Sequence, residues 1–319
     1  MPQWIVATIL LTGATGFVGS HVLVALRAAG HTVRCATRKP DQARARAPEL
    51  SWVELDLHRP ETIEPALDGC EMAVFLVHEM GPEHGDDYPE RERASAEAFA
   101  AAADRARLRR IVYLGGVVPA TGASRHLRSR QRTGEILRAG PVETIELRAA
   151  MVIGAGSASW IMVRDLARRL PAMVLPRWLR NTSFPIAIED VVFGIVAALA
   201  LPFEGSRIYE LPGPERLTHR EVLTRAAAAM GHRRIMVDVP ILTPRLSSYW
   251  IALVTRTNLA MAKELVEGVR EHLEPTGASL WDVIGHRPMP VDEAIRRALQ
   301  DETSTSLPSR AMRMRLATQ

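Results

Sequence analysis

Thr12-Gly13-Ala14-Thr15-Gly16-Phe17-Val18-Gly19 is the stretch from which the fold of this chain can be read. Its glycines fall at Gly13-x-x-Gly16-x-x-Gly19. A continuous apolar run, residues 5–11, precedes them, and a segment of helical periodicity, residues 17–29, follows. An apolar run without polar alternation, ending in glycine, marks a strand buried on both faces. Gly13 permits the tight turn, and Gly16 lets the backbone approach a pyrophosphate at the helix N-terminus. Gly19 allows the helix to pack closely on the sheet. The stretch therefore reads as a dinucleotide-binding turn, with Thr12, Thr15, Phe17 and Val18 as its other cofactor-binding residues.

Working outward, strands are expected at residues 32–37, 52–57, 70–77, 111–114 and 144–153, with helices at 61–67, 90–107 and 125–138. Regular alternation of this kind predicts an α/β fold with a doubly wound parallel sheet. The rhythm breaks after residue 153. Proline-rich stretches at 171–176 and 240–244 frame a strand at 186–188 and a helix at 190–201. Strand, helix and strand at 207–211, 218–231 and 235–239 come next, then a mainly helical stretch at 246–273, and residues 291–299 end the fold. The expected division is a dinucleotide-binding domain, 1–153 plus 184–204, and a smaller C-terminal α/β cap, 154–183 plus 205–300. A disordered tail is expected at 301–319.

The end of the second strand tests which dinucleotide fits. An NAD site places Asp or Glu there to accept from the ribose 2′-hydroxyl. Here the chain reads Ala36-Thr37-Arg38-Lys39-Pro40. Two adjacent cations suit a 2′-phosphate, so NADPH/NADP+ is expected, with Arg38 and Lys39 at the phosphate.

Composition bounds the partners. The chain has 319 residues and a net charge of only +4, and just two of its 40 basic residues, Lys39 and Lys263, are lysines. The arginines are scattered beside acids without a basic tract, which argues against nucleic acid. Abundant Ala and Arg with so little Lys points to a GC-rich bacterial genome. Cys35 and Cys70 lie in apolar segments without metal or redox spacing, and fit buried thiols in a reducing cytoplasm. No apolar run reaches the roughly 18 residues that span a bilayer. No membrane partner is expected, and a homodimer is left open.

The loop and ATRKP together resemble the atypical and extended short-chain dehydrogenase/reductase superfamily, on its NmrA-like side. Val53-Glu54-Leu55-Asp56-Leu57, Ile111-Val112-Tyr113-Leu114-Gly115-Gly116, Glu146-Leu147-Arg148 and Pro185-Ile186-Ala187-Ile188-Glu189-Asp190-Val191 match further landmarks. The resemblance implies a Rossmann fold and places Asp56 and Leu57 beside the adenine. It puts Val77 and His78 along the nicotinamide ribose, and residues 150–153, with Met151 and Val152, at the nicotinamide.

The family's usual catalytic set is a Ser, a Tyr acid and a Lys four residues after that Tyr. The cation lowers the phenol pKa toward the working range. The tyrosines here are Tyr88, Tyr113, Tyr209 and Tyr249, followed four residues on by Glu92, Val117, Gly213 and Leu253. No YxxxK motif exists. Gly115 and Gly116 stand where the Ser belongs, and His126-Leu127-Arg128-Ser129-Arg130 where Tyr and Lys belong. His126 and Arg130 keep the four-residue spacing and are the candidate catalytic pair. The same segment also reads as a solvated, arginine-rich helix face. His78, Tyr88, Trp160, Trp178 and Phe184 are candidate substrate contacts. The run after His78 has no His-x-x-x-His frame, so no metal is expected. The leading expectation is an NADPH-dependent reductase of a hydrophobic small molecule, such as a quinone, enone or aromatic polyketide of secondary metabolism. A non-redox cyclase or isomerase on the same fold, or an NADP-sensing regulator without turnover, are the alternatives.

Overall fold

The computed structural model describes residues 6–77, 88–119, 122–202, 204–239, 263 and 266–303. Seven parallel strands form the main sheet: β1 (Thr8–Leu11), β2 (Thr32–Thr37), β3 (Ser51–Glu54), β4 (Met72–Phe75), β5 (Arg110–Gly116), β6 (Glu143–Ala149) and β11 (Arg207–Glu210). Their order is β11-β6-β5-β4-β1-β2-β3, and each neighbouring pair is parallel. The chain leaves β1 toward one edge and returns to build the other, so the strand order reverses between β1 and β4. Ligands of open α/β sheets bind at such a switch point, beyond the carboxyl ends of the strands.

Successive side chains of these strands enter opposite layers. Ile9 and Leu11 join one hydrophobic cluster and Leu10 the other; Val112 and Leu114 oppose Ile111 and Tyr113 in the same way. Period two is the geometry of a pleated strand, and burial of both faces explains the unbroken apolar runs. Helices α1 (Phe17–Ala28) and α7 (Ile188–Leu199) cover one face. On the other lie α3 (Ile63–Leu67), α4 (Tyr88–Arg105) and the Leu137 side of α5 (Arg125–Ala139). The guanidinium of Arg110 donates to the carbonyls of Ala198, Leu199 and Leu201 at 3.0, 3.1 and 2.8 Å, and so caps the C-terminal end of α7. A cation there also suits the negative end of the helix dipole.

A third cluster joins α6 (Ala158–Arg169), α8 (His219–Ala229) and α10 (Val291–Thr303) to the parallel pair β8 (Ala172–Pro176) and β13 (Ile235–Val239). Prolines at both ends of β8 are tolerated because it belongs to a two-stranded ribbon, so the proline-rich stretch 171–176 holds a strand. The expected strand 144–153 divides. β6 pairs with β5 and β11 as far as Ala149, and β7 (Val152–Ile153) turns away to pair with β10 (Ile186–Ala187). That change of partner aims Ala150, Met151 and Val152 at the space beside the sheet. Three helices lacked a sequence expectation: α2 (Pro40–Arg46), α6 and α9 (Leu280–Ile284). α10 runs on to Thr303, so residues 301–303 are helical and the tail beyond them lies outside the described residues, as does most of the expected helix 246–273. No helix among the described residues is long and apolar enough to cross a membrane. Both cysteines are buried free thiols, pushed up by burial to about 12 for Cys35 and about 11 for Cys70.

At the edge of the sheet, Glu210 on β11 is 1% exposed and stands opposite Arg148 of β6. Burial raises its carboxyl to about 7; Arg148 opposes that shift and Glu146 adds to it. A raised carboxylate pKa means the folded chain holds a proton that the unfolded chain releases. Stability from this group is therefore present below the unfolded value near 4.5 and is lost as pH rises through about 7. Glu210→Gln is expected to melt roughly 2–4 °C above the parent at pH 8, with the gap closing by pH 4.5. Thermal unfolding followed by circular dichroism across that range checks it.

Candidate functional site

Gly13 takes φ +64, a left-handed conformation that favours glycine. Gly19 has a different reason to be glycine: a Cβ there would come within 2.7 Å of the Gly13 carbonyl carbon. Helix α1 therefore approaches the turn more closely than any side chain permits. Thr12 is fully buried behind the turn. Its hydroxyl donates to the Val74 carbonyl and accepts from the Leu76 N–H at 2.8 Å, tying β1 to β4 at the switch point. Thr12 and Gly19 thus shape the loop from within, away from the cavity wall. Gly16 is exposed and heads α1, where no side chain caps the helix and no acid occupies the first turn. An uncapped helix N-terminus is a ready anion site.

A cavity of about 530 Å³ opens above this turn. It gathers Gly13, Thr15 and Gly16 from the loop, Arg38 and Lys39 after β2, and Asp56, Leu57 and Val77 from beyond β3 and β4. Arg38 and Lys39 are exposed, and neither side chain is paired with a carboxylate among the described residues. Asp56 turns its carboxylate toward the His58 N–H at 3.1 Å and Arg59 at 3.4 Å. The wall also holds residues without a sequence expectation: Gln42 and Arg46 from α2, Glu92 and Ser95 from α4, and Thr133 from α5. Pro40 at the first helical position with Asp41 behind it was the available signal for α2, and hence for Arg46. Glu92 is buried and accepts from the Ser129 hydroxyl. An open cradle at Gly16 and a rim of three cations fit a phosphorylated dinucleotide. The loop and the α1 N-terminus would hold its pyrophosphate, and Arg38, Lys39 and Arg46 a 2′-phosphate.

A second cavity, of about 650 Å³, lies on the other side of the α1 N-terminus. Phe17 and Val18 line it, with Met151, Val152, His126, Arg130 and Trp178. Two candidate substrate contacts are elsewhere. Trp160 is wholly buried in the third cluster, its indole N–H donating to Glu302 at 3.1 Å. Phe184 is half-buried and does not reach this wall. His78 lies outside the described residues, and so does the side chain of Tyr88. The rest of the wall is mainly apolar, including Met162, Leu166, Leu170, Met173 and Leu223, with Ser124, Ser157, Ser159 and His219 as further polar residues; Arg130 is the one formally charged side chain among the described residues that line it.

His126 and Arg130 sit one turn apart on α5, and both reach the second cavity. Burial, and then the Arg130 cation, lower the His126 imidazole to about 3. His126 is therefore neutral near pH 7. Its Nδ1 and the Arg130 Nε are buried without a partner among the described residues. Tyr113 is no acid for this site. It is fully buried, its hydroxyl donates to the Arg130 carbonyl at 2.9 Å, and burial pushes its phenol further above its ordinary value.

A model of NAD(P)H-binding proteins matches residues 13–165. Over 70% of this chain and 74% of the other, the sequence is 31% identical to (4-alkanoyl-5-oxo-2,5-dihydrofuran-3-yl)methyl phosphate reductase of Streptomyces griseus. The chain belongs to the NAD(P)H-binding, atypical short-chain dehydrogenase/reductase family. It is also 25% identical to a ceramide reductase of Caulobacter vibrioides, over 81% of this chain and 84% of that one. The triphenylmethane reductase of Citrobacter sp., in a structure with NADP(H), superposes with a TM-score of 0.72 at 18% identity, over 91% and 99% of the two chains. In this family the chain is a reductase, with NAD(P)H as its cofactor.

The two glycines predict different failures. Gly16→Val adds bulk on the open side, where the nearest atom a Cβ would meet is the Gly13 oxygen at 3.2 Å. It is expected to keep the melting temperature and lose nucleotide binding. Gly19→Val forces α1 off the turn and is expected to lose both. Calorimetric titration beside thermal melting separates the two outcomes.

Proposed function

We propose that this chain uses NADPH to reduce a hydrophobic carbonyl compound, of quinone, enone or polyketide type, seated in the second cavity. The observation that supports this reading is the pair of cavities flanking one helix N-terminus. One is polar and cationic; the other is mainly apolar, with Arg130 the single charge among the described residues that line it. NADPH, when bound, supplies a hydride. Everything else falls to the side chains. The Gly13–Gly16 turn and the cationic rim would hold the dinucleotide, with Glu92 in reach of the same cavity as a hydroxyl acceptor. The apolar wall excludes water and orients the acceptor.

A carbonyl that gains hydride develops negative charge on oxygen. The Arg130 guanidinium supplies the opposite charge in a low-dielectric space, where such stabilisation is strongest. His126 is too weakly basic to carry a proton at neutral pH, so its role is that of a neutral hydrogen-bonding group beside Arg130. This arrangement favours electron-poor acceptors such as quinones, whose reduced oxygen needs less help from an acid than a simple alkoxide does.

Two experiments follow. Arg38→Ala and Arg46→Ala are each expected to weaken NADPH by about tenfold to a hundredfold, the worth of a charge-assisted hydrogen bond, and to leave NADH affinity nearly unchanged. Equal losses for both nucleotides would contradict the 2′-phosphate assignment. Arg130→Ala is expected to cut turnover on a quinone on the order of 10²–10³-fold. With the cation gone, His126 should move up from about 3 toward its ordinary value of 6.5. The parent pH–rate profile should then be free of a His126 inflection between pH 5 and 9, and the variant should gain one below pH 6.5.

A further inference from the structure

Two polar groups in the second cavity have no task in the reaction just described. His219 opens α8, is only 6% exposed, and lines the cavity with its Nε2 lacking a hydrogen-bond partner among the described residues. Trp178 lies in the 3-10 turn Arg177–Arg180, lines the same cavity, and its indole Nε1 is likewise buried without a partner. Buried donors and acceptors are almost always satisfied, and one left open in a native cavity calls for an explanation. Their positions are well held. The His219 N–H donates to the Asn181 carbonyl at 3.2 Å, joining α8 to the turn that carries Trp178. Next to Asn181, the Thr182 hydroxyl is 2.6 Å from both His272 Nδ1 and the Glu274 carboxylate.

The chemistry of these groups limits what can meet them. An indole N–H only donates. Burial, with His272 nearby, lowers the His219 imidazole to about 4, so it stays neutral and offers one nitrogen as donor or acceptor. Among the described residues that line the cavity, the one formally charged side chain, Arg130, is on α5, and the described cap elements add none. A carboxylate or phosphate lodged at Trp178 and His219 would lose its water and find no counter-charge among the described residues of the cap.

We infer that Trp178 and His219 form a second anchoring point, which receives an uncharged hydroxyl, ester or amide group carried on the apolar body of the substrate away from its reacting carbonyl. The inference rests on the second cavity being the substrate site, as proposed above. A hydroxyl satisfies the pair in either tautomer, since it accepts from Trp178 and can donate to His219 or accept from it. The substrate class is then a neutral amphipathic carbonyl compound. The phosphorylated compound for which the Streptomyces griseus relative is named would leave its charge uncompensated here.

The test uses binding alone. The full chain, saturated with NADP+ so that no ketone is reduced, is titrated calorimetrically with three probes: a long-chain methyl ketone, its ω-hydroxy analogue and its ω-carboxylate, all of one chain length. A neutral hydrogen bond is worth about three- to tenfold in affinity. The ω-hydroxy ketone is expected to bind tighter than the parent ketone by that factor, and the carboxylate weakest. His219→Leu and Trp178→Phe should each bring the hydroxy-to-parent ratio near one with NADP+ affinity unchanged, while His219→Gln should keep most of it. A ratio that survives both variants, a carboxylate that binds as tightly as the alcohol, or no binding of any probe would overturn the anchor. The expected ratios without NADPH-dependent turnover of any probe would support the anchor and count against the reductase reading, so the two stand or fall separately.

Discussion

The absence of a side chain at Gly19 is the constraint on which the site depends. Without a Cβ against the Gly13 carbonyl, α1 can start directly over the end of β1, and its free N–H groups face the gap where the strand order reverses. Thr12 holds the neighbouring strand in register from behind. One helix end then divides the space above the sheet in two. Gly16 faces the polar cavity, and Phe17 and Val18, next in the chain, face the apolar one. On the proposed reading, a nucleotide and an apolar compound would meet at the same few residues without any long-range coupling.

Electrostatics separates the two halves further. The first cavity keeps cations unpaired among the described residues at its exposed rim, where water screens them and a phosphate can reach them. The second has one cation among the described residues of its wall, Arg130, and burial together with that cation suppresses protonation of His126. Proximity of the two residues thus works against His126 as a proton donor, although the four-residue spacing is that of the family's Tyr and Lys. If the two residues take the places of the family's Tyr and Lys, as proposed, arginine keeps the charge while a buried neutral histidine offers only a hydrogen-bonding group.

The glycine turn, the parallel sheet and the cations after β2 were legible because each depends on local rules: backbone freedom, two-sided burial and charge type. The structure adds what starts α5: the Ser124 hydroxyl accepts from the Leu127 N–H at its N-terminus. Arg46 was hidden because Pro40 reads as a stop as readily as a helix start. β8 was hidden because its prolines argue against strand, and only its pairing with β13, some sixty residues on, shows otherwise. Trp160 illustrates the opposite failure. Its apolar spacing suits a pocket wall or a core equally, and the long-range contact with Glu302 puts it in the core. His219 has a clear helix-start signal in Thr218 and Glu221, yet nothing local indicates which cavity that helix end meets.

The measurement that tests the account most directly is isotope transfer. The protein is incubated with NADPH deuterated at the nicotinamide C4 and a panel of uncharged hydrophobic enones and long-chain ketones, whose reduced products keep the hydride on carbon, and the products are weighed by mass spectrometry. The two-cavity account predicts one deuterium in the product of at least the electron-poor members, from one face of the nicotinamide only. Tight NADPH binding with no deuterium in any product would contradict it, and would leave a cofactor-sensing or non-redox role for the same fold.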